Sequence, residues 1–425
     1  MNRPSSVHID DFAAPEFSAE IAAMMDAVAP LAATIRLEPA VVCAEAERRS
    51  GLHDFGPERF REPLAVFCRA VQRAGLSPFG LVSTFEYTVS LLVNRLRVHD
   101  LLARHPEIHA VPITAPVIIC GQPRTGTTHL HNLIASDARW RSLPYWESVE
   151  PVLSADEAAA VAAGAPDPRP ARAATSLAAL NTMMPLFVRM HEMTADAVHE
   201  EIALLANEFC TQQIEALARM PEYRDWYLAA DQLTVYRSLR TMLQVCTFLR
   251  PDAGTRWVLK TPQHTERIRE LVDVFPDATF VVTHRDPVAV TASVCTMLAY
   301  LERSRVATPD AAATGRYWAD RMVQMFRDVV RDRDLLPPER TLDVHFDDFM
   351  RDDIATVARI YEIAGQPFDA AARAAMDAFM AEHPRGKHGG IEYDLAQLGL
   401  DKEELRARTA FYVERFGIDI EPGWA

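Results

Sequence analysis

The sequence predicts an α/β protein: a P-loop-type parallel sheet flanked by helices, with an N-terminal helical region and a helical insertion. Three observations carry that prediction. Residues 117–120 form an apolar run, followed by a glycine-bounded loop from Gly121 to Gly126, then by a helical run with Leu130, Leu133 and Ile134 on one face. Three more short, mostly apolar strand candidates follow at 256–260, 279–284 and 341–346, with a helical stretch at 264–275 between the first two. Strands alternating with helices imply a parallel sheet covered on both faces, whose ligands sit at the carboxyl ends of its strands.

In chain order, the first 110 residues read as helix. Phe60, Leu64, Phe67 and Val71 fall at helical spacing, as do Phe85, Val89 and Leu92. Residues 1–114 are therefore expected to form a helical region, and 115–425 the α/β domain, with a helical insertion at about 150–250. Residues 154–176, rich in Ala and Asp with Pro166, Pro168 and Pro170 alternating, read as a mobile loop or surface excursion. The pattern at 182–249 is again helical, crowded with Met183, Met184, Phe187, Met190 and Met193, which suit a core better than a pocket. A last helix at 401–416 has Asp401 as N-cap, Glu404 three residues on and Gly417 as terminator.

The chain has 425 residues, of which 49% are hydrophobic and 24% charged, the balance of a soluble globular protein. Its formal net charge of −15 argues against nucleic acid as a bulk partner, but not against a small anion held in a local positive pocket. Six cysteines without CxxC spacing suit buried thiols in a reducing compartment better than disulfides or zinc, so no metal is expected. The polar N-terminus has no secretory h-region, and no apolar run reaches the length of a membrane span; a cytoplasmic location is expected.

The loop at 121–126 carries the chemistry. A strand, a glycine-bounded loop and a helix converge backbone N–H groups and the positive end of a helix dipole on an anion. The spacing Gly121-x4-Gly126 matches a P-loop, but Thr127 follows where a nucleotide hydrolase needs lysine, and the loop's cation is Arg124. A second anion site is suggested by Arg285 at a strand end and Ser293 about two turns into the next helix, which together could close on one phosphate.

These two signatures, in this order at strand–helix junctions, resemble those of sulfotransferases that use 3′-phosphoadenosine 5′-phosphosulfate (PAPS). Pro-Arg-Thr-Gly-Thr-Thr resembles in particular a bacterial branch with Arg where the broad family has Lys. Tyr145-Trp146-Glu147, the run from Trp257 through Lys260 to His264, His345 to Phe349, and Arg385 to Gly389 also fit that branch, so the resemblance covers about residues 115–420. It implies that Arg124, Thr125, Gly126, Thr127 and Thr128 hold the 5′-phosphosulfate and that Arg285 and Ser293 hold the 3′-phosphate, with Arg385 and Lys387 as added donors.

The catalytic expectations follow from position. Arg124 and Lys260 stand where charge develops on the departing phosphate. His264, four residues beyond Lys260, is the first candidate for general base. Its rivals lie at 191–205, read as a helix with Asp196, His199 and Glu200 on one face and Glu201 adjacent, an exposed acidic face being the plainer account. The expected reaction moves a sulfuryl group from PAPS to a hydroxyl of a small-molecule or lipid-like acceptor, without metal. The alternatives are a P-loop small-molecule kinase and a non-catalytic nucleotide-binding protein. The acceptor's identity and the oligomeric state are not legible in the sequence.

Overall fold

The computed structural model describes residues 4–424. Seven strands occur among them: β1 (Val117–Gly121), β2 (Trp140–Arg141), β3 (Leu143–Pro144), β4 (Val198–His199), β5 (Arg256–Lys260), β6 (Thr279–His284) and β7 (Thr341–His345). Five form a sheet in the order β2-β5-β1-β6-β7, every pair parallel. β3 and β4 make a separate antiparallel pair.

The strands read as continuous apolar runs because both faces of the sheet are covered. Alternate residues enter different cores: Val117 and Ile119 point into one, Ile118 and Cys120 into the other, as the two-residue period of a strand requires. The smaller core lies under helix Thr127–Ala135 and the late helices Asp353–Ile363 and Ala370–Glu382. The larger core is continuous from the sheet into the N-terminal helices and helices Leu233–Leu249, Pro287–Arg305 and Ala311–Asp332.

Helix Pro78–Arg104, 27 residues and about 40 Å long, is the spine of the N-terminal region. Ser77 caps it by accepting from Gly80 N at 2.9 Å, and Pro78 stands in its first turn, where no intrahelical donor is needed. The same Ser77 hydroxyl donates to Ser304 O at 2.9 Å, stitching this region to the end of helix Pro287–Arg305.

Two expectations are overturned. Residues 154–176 are largely helical: Ala155–Ala162 starts on a complete Ser154/Glu157 capping box, and Arg169–Met183 follows with a proline in its first turn. Alanine's helix propensity and the tolerance of proline at a helix start outweigh the loop signal of the alternating prolines. Residues 191–205, in contrast, are not one helix. The chain leaves Phe187–Met190, runs through turns into β4, and becomes helical again only at Ile202–Leu205. Pairing of Val198 and His199 with Pro144 and Leu143 replaces the helical bonds, so Asp196, His199 and Glu200 do not share a helix face. The late helix runs Lys402–Phe416, with Asp401 accepting from Glu404 N and Gly417 left-handed at φ 61°, as expected.

Candidate active site

β1 lies between β5 and β6, and the carboxyl ends of all three, Gly121, Lys260 and His284, open on one edge of the sheet. The P-loop leaves β1 under tight constraint. A Cβ on Gly121 would fall 1.9 Å from Thr283 Oγ1 and 2.5 Å from Thr127 Cγ2, so only glycine fits. Thr125 Oγ1 donates to Gln122 O at 2.6 Å and lies 2.6 Å from Thr283 Oγ1, tying the loop down over β6. Gly126, at φ 83°, then turns the chain into helix Thr127–Ala135.

Arg124 also has positive φ, 69°, which costs a residue with a Cβ about 1–2 kcal/mol. Three contacts hold it there. Arg285 Nη1 donates to its carbonyl at 2.6 Å, its own Nε donates to Ser293 Oγ at 3.0 Å, and its Nη1 donates to Met190 O. Ser293 Oγ donates in turn to Tyr393 OH at 2.9 Å. Arg285 and Ser293 thus meet at Arg124, one on its backbone and one on its side chain. The fork of Arg285 is seated bidentately on Glu421, at 2.6 and 2.9 Å, and its guanidinium lies 4.1 Å over the Phe346 ring. Arg385 and Lys387 have separate partners: Arg385 donates to Asp353 at 2.7 Å and to Met350 O, and Lys387 pairs with Glu192 at 2.7 Å.

On the other flank, Lys260 is 3% exposed at the end of β5. Its ammonium pairs with Glu200 and lies 3.4 Å from Thr128 Oγ1, at the start of the P-loop helix. Burial works against the charge on Glu200, but Lys260 first and then His191 outweigh it and hold the carboxyl below its ordinary range. Glu201 turns inward instead: one oxygen accepts from Lys260 N at 3.0 Å, the other meets His264 Nε2. His264 Nδ1 reaches Tyr236 OH at 2.9 Å, and the ring is 0% exposed. Glu201 is 1% exposed and Glu200 half-buried, so of the expected acidic face Asp196 alone is exposed to solvent.

A cavity of about 1010 Å³ opens from the P-loop. Arg124, Thr127, Thr128, Lys260, Glu200 and His199 form its polar end; His264 and Glu201 do not line it. Desolvation pushes His191 and His199, both on the wall, down to about 4 and about 3, so they are neutral imidazoles at neutral pH. Most of the remaining wall is apolar, with Leu180, Met297, Leu298, Leu301 and Met322 prominent. The methionine-rich run serves both uses: Met183, Met184, Phe187 and Met190 join the core, and Phe187 and Met193 also reach the cavity.

Two parts of this site were absent from the sequence reading. Glu421 and Tyr393 come from distant segments with no motif. Helix Pro78–Arg104 supplies Ser83, Tyr87, Ser90, Asn94 and Arg97 to the cavity, a polar stripe at helical spacing that was legible beside the apolar one.

The donors at the sheet edge suit a nucleotide with two anionic groups. Arg124, the Thr128 hydroxyl and Lys260 converge at the helix start, and Glu421 shows that Arg285 takes a forked oxyanion. No group of acidic, His and Cys side chains among the described residues could hold a metal. A sequence model of the sulfotransferase family matches residues 116–370. The omega-hydroxy-beta-dihydromenaquinone-9 sulfotransferase Stf3 of Mycobacterium tuberculosis is 24% identical over 312 residues, 72% of this chain and 75% of that protein. Its counterpart in Mycobacterium bovis matches equally. The crystal structure of sulfotransferase STF9 from Mycobacterium avium superposes with a TM-score of 0.80 at 28% identity, over 91% of this chain and 98% of that one. STF1 from Mycobacterium tuberculosis gives 0.76 at 28% identity, over 88% and 98%. The chain belongs to the sulfotransferase family, and PAPS is its co-substrate.

Proposed function

We propose that the cavity receives a long, largely apolar acceptor whose hydroxyl is presented to Glu200, and that Glu200 is the general base. One observation carries this reading: the polar end of the cavity holds an ionised carboxylate beside a buried lysine at the P-loop helix, and the rest of the wall is mostly apolar. A hydroxyl on a hydrocarbon body fits both ends. The relative Stf3 is named for a hydroxylated menaquinone derivative, an acceptor of the same general kind.

When bound, PAPS supplies the electrophilic sulfuryl group and a phosphate leaving group. The chain's own residues do the rest. Arg124, Thr125, Gly126, Thr127 and Thr128 hold the 5′ end, and Arg285 with Ser293 takes the 3′-phosphate, displacing Glu421 from the Arg285 fork. Arg385 and Lys387 stay on the rim with Asp353 and Glu192. As the acceptor oxygen bonds to sulfur, its proton passes to Glu200, and the charge released on the phosphate oxygen is met by Arg124 and Lys260. Lys260 holds Glu200 acidic in the free protein; engaging an anion relaxes that hold and makes the carboxylate more basic. His264 and Glu201 are positioning residues in this scheme: from inside the protein they fix the end of β5, and with it Lys260.

The reading is tested by radiolabelled sulfuryl transfer from PAPS to primary alcohols of increasing chain length. The expected result is kcat/KM rising with chain length without added divalent metal. Indifference to chain length, or turnover only of compact polar alcohols, would overturn the acceptor class.

A further inference from the structure

We infer that the acceptor cavity contains an anion subsite at Arg305, and that the acceptor carries an anionic head group at the end remote from its hydroxyl. This rests on the reading of the cavity as the acceptor site.

The charges on the cavity wall separate into two groups. Arg49 pairs with Glu86 at 2.6 Å and Arg97 with Glu150 at 2.8 Å; Arg169 pairs with Asp167 and Arg172 with Glu157, each at 2.6 Å. Each of these guanidinium groups is neutralised by a carboxylate. Two wall arginines have no carboxylate partner among the described residues: Arg124, at the phosphate cradle, and Arg305. The Arg305 guanidinium makes no hydrogen bond or ion pair within the described chain.

Both unmatched cations are tied to one helix. Arg124 Nε touches Ser293 near the start of Pro287–Arg305, and Arg305 is its last residue. Arg305 lies twelve positions beyond Ser293, roughly 18 Å at the rise of an α-helix. Val294, Met297, Leu298 and Leu301, all on the cavity wall, make an apolar stripe between them at helical spacing. Tyr87, close enough to Arg305 to interact with its charge, is also on the wall, and its hydroxyl accepts from Gln213 Nε2 at 3.0 Å. Desolvation pulls the Arg305 guanidinium below its ordinary range, and Tyr87 alone opposes it. A half-buried guanidinium on the cavity wall with no counter-charge is a place where an incoming anion gains a charge-assisted hydrogen bond. A carboxylate or phosphate on the acceptor is of the right charge, and the guanidinium fork and the Tyr87 hydroxyl provide donors for it.

The test measures binding directly. The probes are a long-chain ω-hydroxy fatty acid, its methyl ester and the matching ω-hydroxyalkyl phosphate, each titrated calorimetrically with adenosine 3′,5′-bisphosphate present. The acid, the phosphate or both should bind about tenfold to a hundredfold more tightly than the ester, the scale of a charge-assisted hydrogen bond. The tighter of the two identifies the head group. Arg305→Gln should remove the preference and Arg305→Lys restore part of it, with thermal melting as the check on folding. Equal binding of all three probes by the wild type, or a preference that survives Arg305→Gln, overturns the subsite. Sulfuryl transfer to the methyl ester reports separately on the sulfotransferase site, so failure of one reading is distinguishable from failure of the other.

Discussion

The P-loop cradle and the cavity proposed for the acceptor meet at Thr128 but are built differently. The cradle is mostly backbone, a loop of six residues pinned by Thr283 and Arg285 and aimed by one helix. The cavity is side chain, assembled from helices as far apart in sequence as Pro78–Arg104 and Ala311–Asp332. A backbone site is fixed by the turn it must make and tolerates little change. A side-chain site is fixed by packing, and each wall residue can change what enters while the fold stays the same. The difference teaches where to look: the loop that would hold the 5′ end of the co-substrate is one contiguous run, whereas the cavity proposed for the acceptor draws on helices across the molecule.

Substitutions at the meeting point sharpen that division. The largest effect is expected at Glu200. Glu200→Gln should lower kcat by about 10²–10⁴, the range for a positioned base, while affinity for adenosine 3′,5′-bisphosphate stays near wild type. If His264→Asn, at a fold stability matched by melting, lost as much activity while Glu200→Gln did not, the base would have to be reassigned to the buried ring. Next in size, Arg124→Ala should reduce kcat by about 10²–10³. A rise in KM with kcat unchanged would confine Arg124 to binding.

A smaller effect belongs to the far end of the cradle. Arg285→Ala should weaken adenosine 3′,5′-bisphosphate about tenfold to a hundredfold relative to ADP, as calorimetry with both ligands would read. Equal losses for the two nucleotides would remove the 3′-phosphate from Arg285. The smallest effect concerns pH. His131, 1% exposed beneath the P-loop, is pushed by burial from 6.5 down to about 4. The unfolded chain therefore takes up a proton that the native state refuses. Its contribution is intact above about pH 6.5 and is lost progressively as pH falls toward 4, roughly 2 kcal/mol at pH 5. Urea titrations of the wild type and His131→Gln at pH 7.5 and 5 isolate it from the other depressed histidines; an equal loss of stability in both proteins on going to pH 5 would refute it.

The sheet was legible because a doubly covered parallel strand is an uninterrupted apolar run, and the P-loop because its glycines sit at a fixed interval. β2 was missed because Trp140–Arg141 is two residues long and joins the sheet only through its neighbour β5. The 191–205 segment misled because spacings of three and four suit a helix, while the actual β4 pairing partner, β3, lies more than fifty residues upstream. His264 attracted attention by its distance from Lys260 along the chain. What the sequence could not say is that β5 ends with Lys260 turned toward the P-loop and His264 turned into the core.

The pairing of Lys260 with Glu200 has a kinetic consequence. In the free enzyme Glu200, the carboxylate proposed as base, is already engaged by the cation beside it. An acceptor arriving first finds that carboxylate occupied. On the proposed mechanism, a co-substrate arriving first would draw the ammonium toward Thr128 and leave the carboxylate ready. We expect compulsory-order kinetics with PAPS leading, so that a non-reactive acceptor analogue inhibits uncompetitively against PAPS. Competitive or noncompetitive patterns would mean that the ion pair opens without help. Ordered binding of this kind would make the acceptor site competent only after PAPS is in place, so an acceptor could not be held idle in an enzyme lacking its co-substrate.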